Sequence, residues 1–447
     1  MKTRIGYIWE QLRSTYWFVP LVIFIASVAL ATGSILLDRA LEEQVQLPTW
    51  LYPAGADEAR ALLSTIAGSM IGLAGVTFSI TMVTLSLASS QFGSRLLRTF
   101  MRDIGNQVVL GTFIGTFVYA ILVLQTITGV EERVFVPKVS LTIAMLLAVL
   151  SLAVLIYFIH HVSASIQAEN VIAGVGRDLD SAVDRLFPEQ GDGASSPPIS
   201  GRRRPVAGQL AEPGEPIPAT QSGYLQAIDQ DRLMRVATEN DLVFRLLYRP
   251  GDFIIEGSEL VLVWPAERAE EGLVKPVNDA FIVGARRLQL QDVEFAINQL
   301  VEIAVRALSP GINDPFTAIA CIDRLGASLA RLAERGIPPR YHFDEEDRLR
   351  LITDVVTFSG IVDAAFNQIR QNGRSNVAVT IRLLERIAII AAYAQTEGQR
   401  AALRRQTEMI WRSSTDALPE ALDRADVQKR YRLVLRTLQS GSAPAED

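Results

Sequence analysis

The sequence is poor in the residues that most often build metal sites and disulfides. Its 447 residues include one cysteine, Cys321, and three histidines. A single cysteine excludes a disulfide within the chain and a four-cysteine zinc site. The net charge of −6 provides no overall attraction to nucleic acid, so we expect no nucleic-acid partner.

The sequence also lacks the short motifs that mark common active sites. It contains no G-x-x-x-x-G-K-[ST], no H-E-x-x-H and no G-x-S-x-G. His342 is followed by the acidic run 344–347, but acids there are explained as the start of a helix, where carboxylates complement the helix dipole. We therefore expect no catalytic residues, no metal ligands, no cofactor and no enzymatic activity.

Charged residues are absent from four long apolar segments in the first part of the chain. The segments are Trp17–Leu37, Ala61–Ser90, Val108–Thr128 and Val139–Val162. Each meets the length of about 20 apolar residues that a bilayer crossing requires, and a backbone in lipid must satisfy its hydrogen bonds as a helix. The first segment is too long for a cleavable signal peptide and should remain as an anchor. The sequence thus predicts a four-helix transmembrane domain over residues 1–163, with the lipid bilayer as its partner.

Basic residues in the short loops set the predicted orientation. Six lie before the first segment or between the second and third: Lys2, Arg4, Arg13, Arg95, Arg98 and Arg102. Four lie on the other side: Arg39, Arg60, Arg133 and Lys138. Because Lys and Arg are enriched in cytoplasmic loops, we expect a bacterial inner-membrane protein with both termini in the cytoplasm. The apolar spacing around Arg95, Arg98 and Arg102 also fits a short helix at the membrane interface, although a plain basic loop is an equal alternative.

The second apolar segment carries small and hydroxyl-bearing residues at helical spacing. One stripe consists of Gly68, Gly72, Gly75 and Ser79, and a neighbouring stripe of Thr77, Thr81 and Thr84. Small residues let helix backbones approach closely, whereas neutral hydroxyl groups can line a water-filled path. Two interpretations follow: helix packing, or the wall of a pore in a homo-oligomer.

The rest of the chain is predicted to be a cytoplasmic α+β region. We expect a helix extending from the membrane over residues 164–188, and a flexible linker over the Pro-, Gly- and Ser-rich residues 189–216. Alternating patterns predict a small strand-rich unit over 217–290, helical periodicity predicts a helical domain over 291–439, and 440–447 should form a disordered tail. The predicted fold class is a membrane α-helical protein with four transmembrane helices followed by this α+β region.

One loop between two predicted helices combines structural and functional signals. Pro310 cannot continue a helix, and Asp314 with Pro315 is a strong start signal for the next. Capping leaves Ser309 and Asn313 unexplained. The predicted functional loop with its charged neighbours comprises Glu302, Arg306, Ser309, Pro310, Gly311, Asn313, Asp314 and Pro315.

Three stretches of the sequence, Thr77–Tyr119, Gln291–Ala318 and Asn367–Ile387, together resemble a known family. It is a domain-of-unknown-function family of bacterial predicted membrane proteins, with an S-P-G-[IV]-N-D-P motif that stands here at 309–315. The resemblance implies a membrane protein and supplies no substrate or site residues. On physical grounds we expect an oligomeric ion or small-solute channel gated by its cytoplasmic domain. The alternative is a membrane-anchored sensor or scaffold whose helical domain binds a ligand or partner.

Overall fold

A computed structural model describes the chain in six stretches and divides it into two compact units, Met1–Asn170 and Val171–Asp447. The described residues are 17–42, 55–93, 103–130, 133–165, 167–189 and 213–440. Several predictions fall outside them: Lys2, Arg4, Arg13, Arg95, Arg98, Arg102, most of the linker and nearly all of the C-terminal tail.

The first unit contains four long apolar helices, as the sequence predicted. Each is long and apolar enough to cross a membrane. They are α1 (Phe18–Glu42), α2 (Ala56–Phe92), α3 (Ile104–Leu124) and α4 (Lys138–Ser165), with the short strands β1 (Thr128–Val130) and β2 (Arg133–Phe135) between α3 and α4.

Helix α3 is the central helix of this unit. Over half of the residues in its most apolar stretch are buried, compared with 17–28% in the same stretch of the other three helices. Glycine at 111 lets α1 approach, because a Cβ atom there would lie 3.2 Å from the Pro20 Cα atom and 2.6 Å from Ile23 Cδ1. The other three helices therefore present most of their apolar surface outward, as lipid-facing helices do.

The second unit begins with a separate helix instead of a continuation of α4. Helix α4 ends at Ser165, and α5 spans Ala168–Leu186, so the helix predicted over 164–188 is two helices. The Asn170 side chain donates to the Ala164 carbonyl at 2.8 Å. Side-chain donors at a helix end satisfy carbonyl groups that the helix leaves without partners, and this contact caps the end of α4.

Two small sheets follow α5. The first has the strand order β3-β7-β5-β10-β9 and the second β6-β4-β8. The strands are β3 (Glu215–Pro218), β4 (Gly223–Ile228), β5 (Val243–Leu246), β6 (Phe253–Ile254), β7 (Glu259–Trp264), β8 (Phe281–Gly284), β9 (Tyr341–Phe343) and β10 (Leu349–Ile352), with the helices α6 (Gln230–Glu239) and α7 (Val274–Asn278) between them.

Two boundaries of the strand-rich unit differ from the prediction. Strand β3 includes residues 215 and 216, which were assigned to the linker. Residues 341–352, which were placed in the helical domain with a helix from about 345, form the hairpin β9–β10, and β10 pairs in parallel with β5. The acids after His342 therefore lie in a hairpin turn, where Asp344 accepts hydrogen bonds from Arg348 N and Glu346 N. The prediction that these acids start a helix was wrong, because a short strand forms by pairing with a distant strand, which the local sequence does not reveal.

Six helices complete the unit. They are α8 (Val293–Ala307), α9 (Pro315–Ala333), α10 (Phe358–Gly373), α11 (Val377–Tyr393), α12 (Glu397–Ala417) and α13 (Ala421–Ser440). Asp292, Asp314, Thr357, Asn376 and Thr396 each accept a backbone N–H at the first turn of the helix that follows. The predicted fold class, four apolar helices followed by an α+β region, is confirmed.

Candidate functional site

The two predicted stripes of α2 lie in different surroundings. Thr77, Thr81 and Thr84 are buried within the four-helix unit, and Thr77 Oγ1 has no hydrogen-bond partner in the described part of the chain. Gly68, Gly72, Gly75 and Ser79 are exposed on the surface of the chain. A Cβ atom at any of the three glycines would meet no atom of the described residues within 4 Å. The threonine stripe thus packs against other helices of the same chain, whereas the glycine stripe lies on the surface.

A buried polar cluster joins α1, α3 and α4 in the same unit. Asp38 accepts the N–H groups of Val139 and Ser140 at 2.8 and 2.9 Å, and the Ser140 hydroxyl at 2.6 Å. The Ser34 and Tyr119 hydroxyls are 2.9 Å apart beside it. Asp38 thereby caps the first turn of α4 from α1. The sequence pattern missed this role because Asp38 was assigned to a loop, whereas α1 continues to Glu42.

A second polar contact ties α3 to α4. Asp103 caps α3 through Gly105 N at 2.9 Å, and its other oxygen lies 2.6 Å from His161 Nε2. The Tyr157 ring stacks on the His161 ring with centroids 5.2 Å apart. In the described stretches no group of three or more His, Cys, Asp or Glu side chains could hold a metal ion. The contact with Asp103 therefore gives His161 a structural role in joining α3 and α4.

The predicted functional loop is held by its own side chains. The Ser309 hydroxyl donates to the Arg306 carbonyl at 2.6 Å, and Asp314 accepts from Thr317 N at 3.1 Å. Asn313 has φ +51°, a left-handed conformation that Asn adopts more readily than most residues. Local structure thus accounts for Ser309 and Asn313, which helix capping alone did not explain.

The fold places this loop beside the turn between α10 and α11. A Cβ atom at Gly373 would lie 3.4 Å from Leu308 Cδ1 and 2.6 Å from Val379 Cγ1. The loop also displays two apolar side chains, Ile312 and Phe316, on the surface. Two of the family-like stretches are therefore neighbours in space, while Glu302 and Arg306 lie half-buried on α8.

The five-stranded sheet has two different faces. Successive strand residues point to opposite sides, so Phe244 and Leu246 face the main core of the unit, and Val243 and Arg245 face the other side. In the sheet register Arg245 lies between Leu262 of β7 and Ile352 of β10. This second face carries a small apolar cluster of Val243, Trp264 and Ile352, partly covered by Leu262, Tyr341 and Leu349.

A cavity of about 170 Å³ opens on this second face. It is lined by Arg245, Trp264, Arg340, Tyr341 and Ile352. Among the described residues, neither guanidinium group forms a hydrogen bond or an ion pair. We define these five residues as the sheet-face cavity. It combines two cationic groups without counter-charges, two aromatic rings and an apolar side chain.

Sequence reasoning missed the sheet-face cavity. Its residues come from β5, β7 and the 340–352 segment, which was assigned to the helical domain and not to the strand-rich unit. One local signal existed. Gly214, just before β3, leaves room for the Trp264 indole, because a Cβ atom there would lie 2.7 Å from the ring.

Arg350 anchors the β9–β10 hairpin to the end of α6. Its Nε atom lies 2.8 Å from Asp344 Oδ2, and its Nη1 atom lies 2.9 Å from Asp241 Oδ1. Burial raises the pKa of the Asp344 carboxyl, but hydrogen bonds from Arg350 and from the Arg348 and Glu346 amides outweigh it, so that pKa lies below its ordinary value. Arg350 is buried and pairs with two carboxylates, so it supports the hairpin that supplies Tyr341 and Ile352.

Four helices long and apolar enough to cross a membrane, followed by an α+β region, are the features of a multi-pass membrane protein. The chain belongs to the family described as "Predicted membrane protein (DUF2254)", whose model matches residues 13–388. It is 31% identical over 429 residues to uncharacterised proteins of Mycobacterium tuberculosis strain H37Rv and Mycobacterium bovis, an alignment covering 94% of this chain and 80% of each relative. No solved structure matches the chain. The family resemblance read from the sequence is confirmed.

Proposed function

We propose that this protein is a membrane-anchored sensor that binds a small anionic ligand with a planar ring in the sheet-face cavity. The observation that carries the proposal is the pair Arg245 and Arg340, which lie beside Trp264 and Tyr341 and have no counter-charge among the residues that the structure describes. Guanidinium groups bind carboxylates and phosphates through paired hydrogen bonds, and aromatic faces stack on planar rings.

The size of the cavity limits the ligand. At about 170 Å³ it is smaller than the roughly 300–1,000 Å³ of sites for drug-sized molecules. An aromatic carboxylate or a nucleoside monophosphate that places its ring in the cavity fits this chemistry. The apolar face of Ile352 and the two rings favour the ring of the ligand, and the guanidinium groups favour its charge.

The test is ligand binding by the full chain in lipid nanodiscs. Nucleoside monophosphates and aromatic carboxylates are titrated while tryptophan fluorescence and thermal stability are recorded. Arg245→Gln and Arg340→Gln should each weaken binding about 10- to 150-fold, since a hydrogen bond to a charged group contributes about 1.5–3 kcal/mol. Arg235→Gln is the matched control, because Arg235 is an exposed arginine of α6 outside the cavity. The proposal fails if no ligand of either class binds, or if the control loses as much affinity.

A second candidate function, a homo-oligomeric channel for ions or small solutes gated by the cytoplasmic domain, is favoured by the open glycine stripe of α2. Three glycines without neighbours within 4 Å leave a groove into which the same helix of another copy could pack closely. Gly72→Leu should then reduce both the oligomer observed by native mass spectrometry and ion flux into liposomes. Gly33→Leu on α1 is the control, since Gly33 is equally open. A monomer that conducts nothing would contradict this function.

We further propose that the chain lies in the bacterial inner membrane with both termini in the cytoplasm. The support is the larger number of Lys and Arg residues in the loops on that side. Reporter fusions after Asp447 and within residues 43–54 test it. A C-terminal reporter active only outside the cytoplasm would reverse the assignment.

A further inference from the structure

Several helices of the second unit begin or end at one end of its helical bundle. The end of α8, which leads through residues 309–314 into α9, meets the α10–α11 turn there through Leu308, Gly373 and Val379. At the opposite end the Gln399 side chain, at the start of α12, donates to the Ala333 carbonyl at the end of α9. Helix α12 therefore runs back to the first end, and α13 begins there. We call this end, marked by Ile312, Phe316 and Leu422, the loop end of the bundle.

Ion pairs place the first turns of three helices at the same level. Asp323 of α9 pairs with Arg386 of α11 at 2.8 Å, and Glu385 pairs with Arg430 of α13 at 3.6 Å. Phe316 and Leu422 precede these contacts by seven and eight residues, or roughly 10–12 Å of helix. The two side chains thus belong to the same end of the bundle.

The loop end is unusually apolar on its surface. Phe316 is 80% exposed and Leu422 75%, and Ile312 is half exposed. Among the large hydrophobic residues of the described chain these first two are the most exposed, above even Ile156 at 71% on the spanning helix α4. Single exposed apolar side chains are common on soluble surfaces, but a group of this exposure at one end indicates a surface that something covers.

The chain enters the second unit at this end of the bundle, through a short connection from α4. Helix α5 runs beside α9 in the same direction, with Asp180 accepting from the Ser328 hydroxyl at 2.6 Å and Asp184 pairing with Arg331 at 2.6 Å. Following this register back by twelve residues puts Ala168 level with Phe316. Ala168 is three residues after Ser165, the last residue of the spanning helix α4, and three residues of chain reach at most about 10 Å.

We propose that the loop end of the bundle inserts Ile312, Phe316 and Leu422 into the interfacial region of the lipid bilayer. Charged residues of both signs lie at this end, among them the basic Arg374 and the acidic Glu420 and Asp423. Attraction to anionic lipid is therefore small, and the apolar side chains supply the affinity, as in helices that lie at a membrane surface. The inference is independent of the sheet-face cavity.

The test uses fluorescent labels on the full chain in phosphatidylcholine vesicles. Phe316→Cys and Leu422→Cys are labelled with bimane, and lipids carrying a doxyl quencher near the headgroup are added. The native thiol of Cys321 does not interfere, because it is buried and burial raises its pKa. Tyr393→Cys is the matched control, since Tyr393 is a partly exposed residue at the opposite end of α11.

We expect doxyl lipid to quench the labels at 316 and 422 and to leave the label at 393 unchanged, at low and high salt alike. Equal quenching at all three positions, or none at 316 and 422, overturns the proposal. Shielding of the 316 and 422 labels that requires a high ratio of protein to lipid identifies a second copy as the occupant and also overturns it. Should a cysteine variant fail to fold, hydroxyl-radical oxidation of wild-type Phe316 and Leu422 decides instead. Protection of both residues in vesicles relative to Tyr393 supports the proposal, and equal oxidation refutes it.

Discussion

Replacing Arg350 with methionine should destabilise the second unit strongly, although Arg350 touches no candidate ligand. The guanidinium is nearly inaccessible and contacts the equally inaccessible Asp344 at 2.8 Å. The variant leaves the Asp344 carboxylate buried with no counter-charge, and breaking a buried pair in this way costs about 3–5 kcal/mol. Asp241 is half exposed and adds little. We therefore expect a loss near the lower end, about 3 kcal/mol.

The assay is thermal unfolding of the full chain in nanodiscs, followed by far-UV circular dichroism. For a unit of this size 1 kcal/mol corresponds to about 2–4 °C, so the midpoint should fall by about 6–12 °C. Arg348→Met is the control in the same hairpin. Arg348 is more than half exposed and pairs with Asp241 and Glu346, so its loss should stay below about 1 kcal/mol. Equal midpoints for the two variants would refute the reasoning.

Three further predictions concern acid, a glycine and a buried hydroxyl. The pKa of Asp344 is lowered in the folded state. The ionised carboxylate therefore stabilises the fold fully above the ordinary carboxyl range, and this stabilisation is lost as pH falls through the folded pKa. Thermal midpoints recorded down to about pH 3 should fall less steeply with pH in Arg350→Met than in wild type. Gly251→Ala should lower the free energy of unfolding by at least about 2 kcal/mol in chemical denaturation, because φ is +102° and the new Cβ would lie 2.6 Å from an Asp292 oxygen. Gly257→Ala is the control: its φ is +82° but the space around it is open, so it should cost only the backbone strain. Equal losses of stability in the two variants would contradict the steric argument. Thr77→Val should leave thermal stability in detergent unchanged or raised, since it removes a buried hydroxyl that has no partner among the described residues. A loss above about 1 kcal/mol would show that the hydroxyl has a role.

The functional proposals rest on different parts of the molecule and can fail separately. Ligand binding depends on Arg245 and Arg340 on the second face of the sheet. Membrane insertion of the loop end depends on Phe316 and Leu422. The motif at 309–315 bears on the membrane-insertion proposal. Its left-handed Asn313 and its helix-capping Asp314 fix the backbone that displays Ile312 and Phe316.

Local physics explains what could be predicted. Four spans followed from length and the absence of charge, since bilayer insertion depends on the segment itself. Asp314 and Pro315 marked the start of α9 because a cap bonds to the helix that it begins. Short apolar runs bounded by turn residues marked β4, β5 and β7, because a buried strand is apolar over its own length.

Only the tertiary structure decided which surfaces meet. Strands β9 and β10 exist because β10 finds β5 more than a hundred residues earlier, and that pairing brings Tyr341 and Ile352 to the cavity. Asp38 caps a helix a hundred residues away. The stripes of α2 looked equivalent in the sequence, yet packing buries the threonines and leaves the glycines open. Amphipathic spacing tells which residues share a face, and long-range packing determines what that face touches.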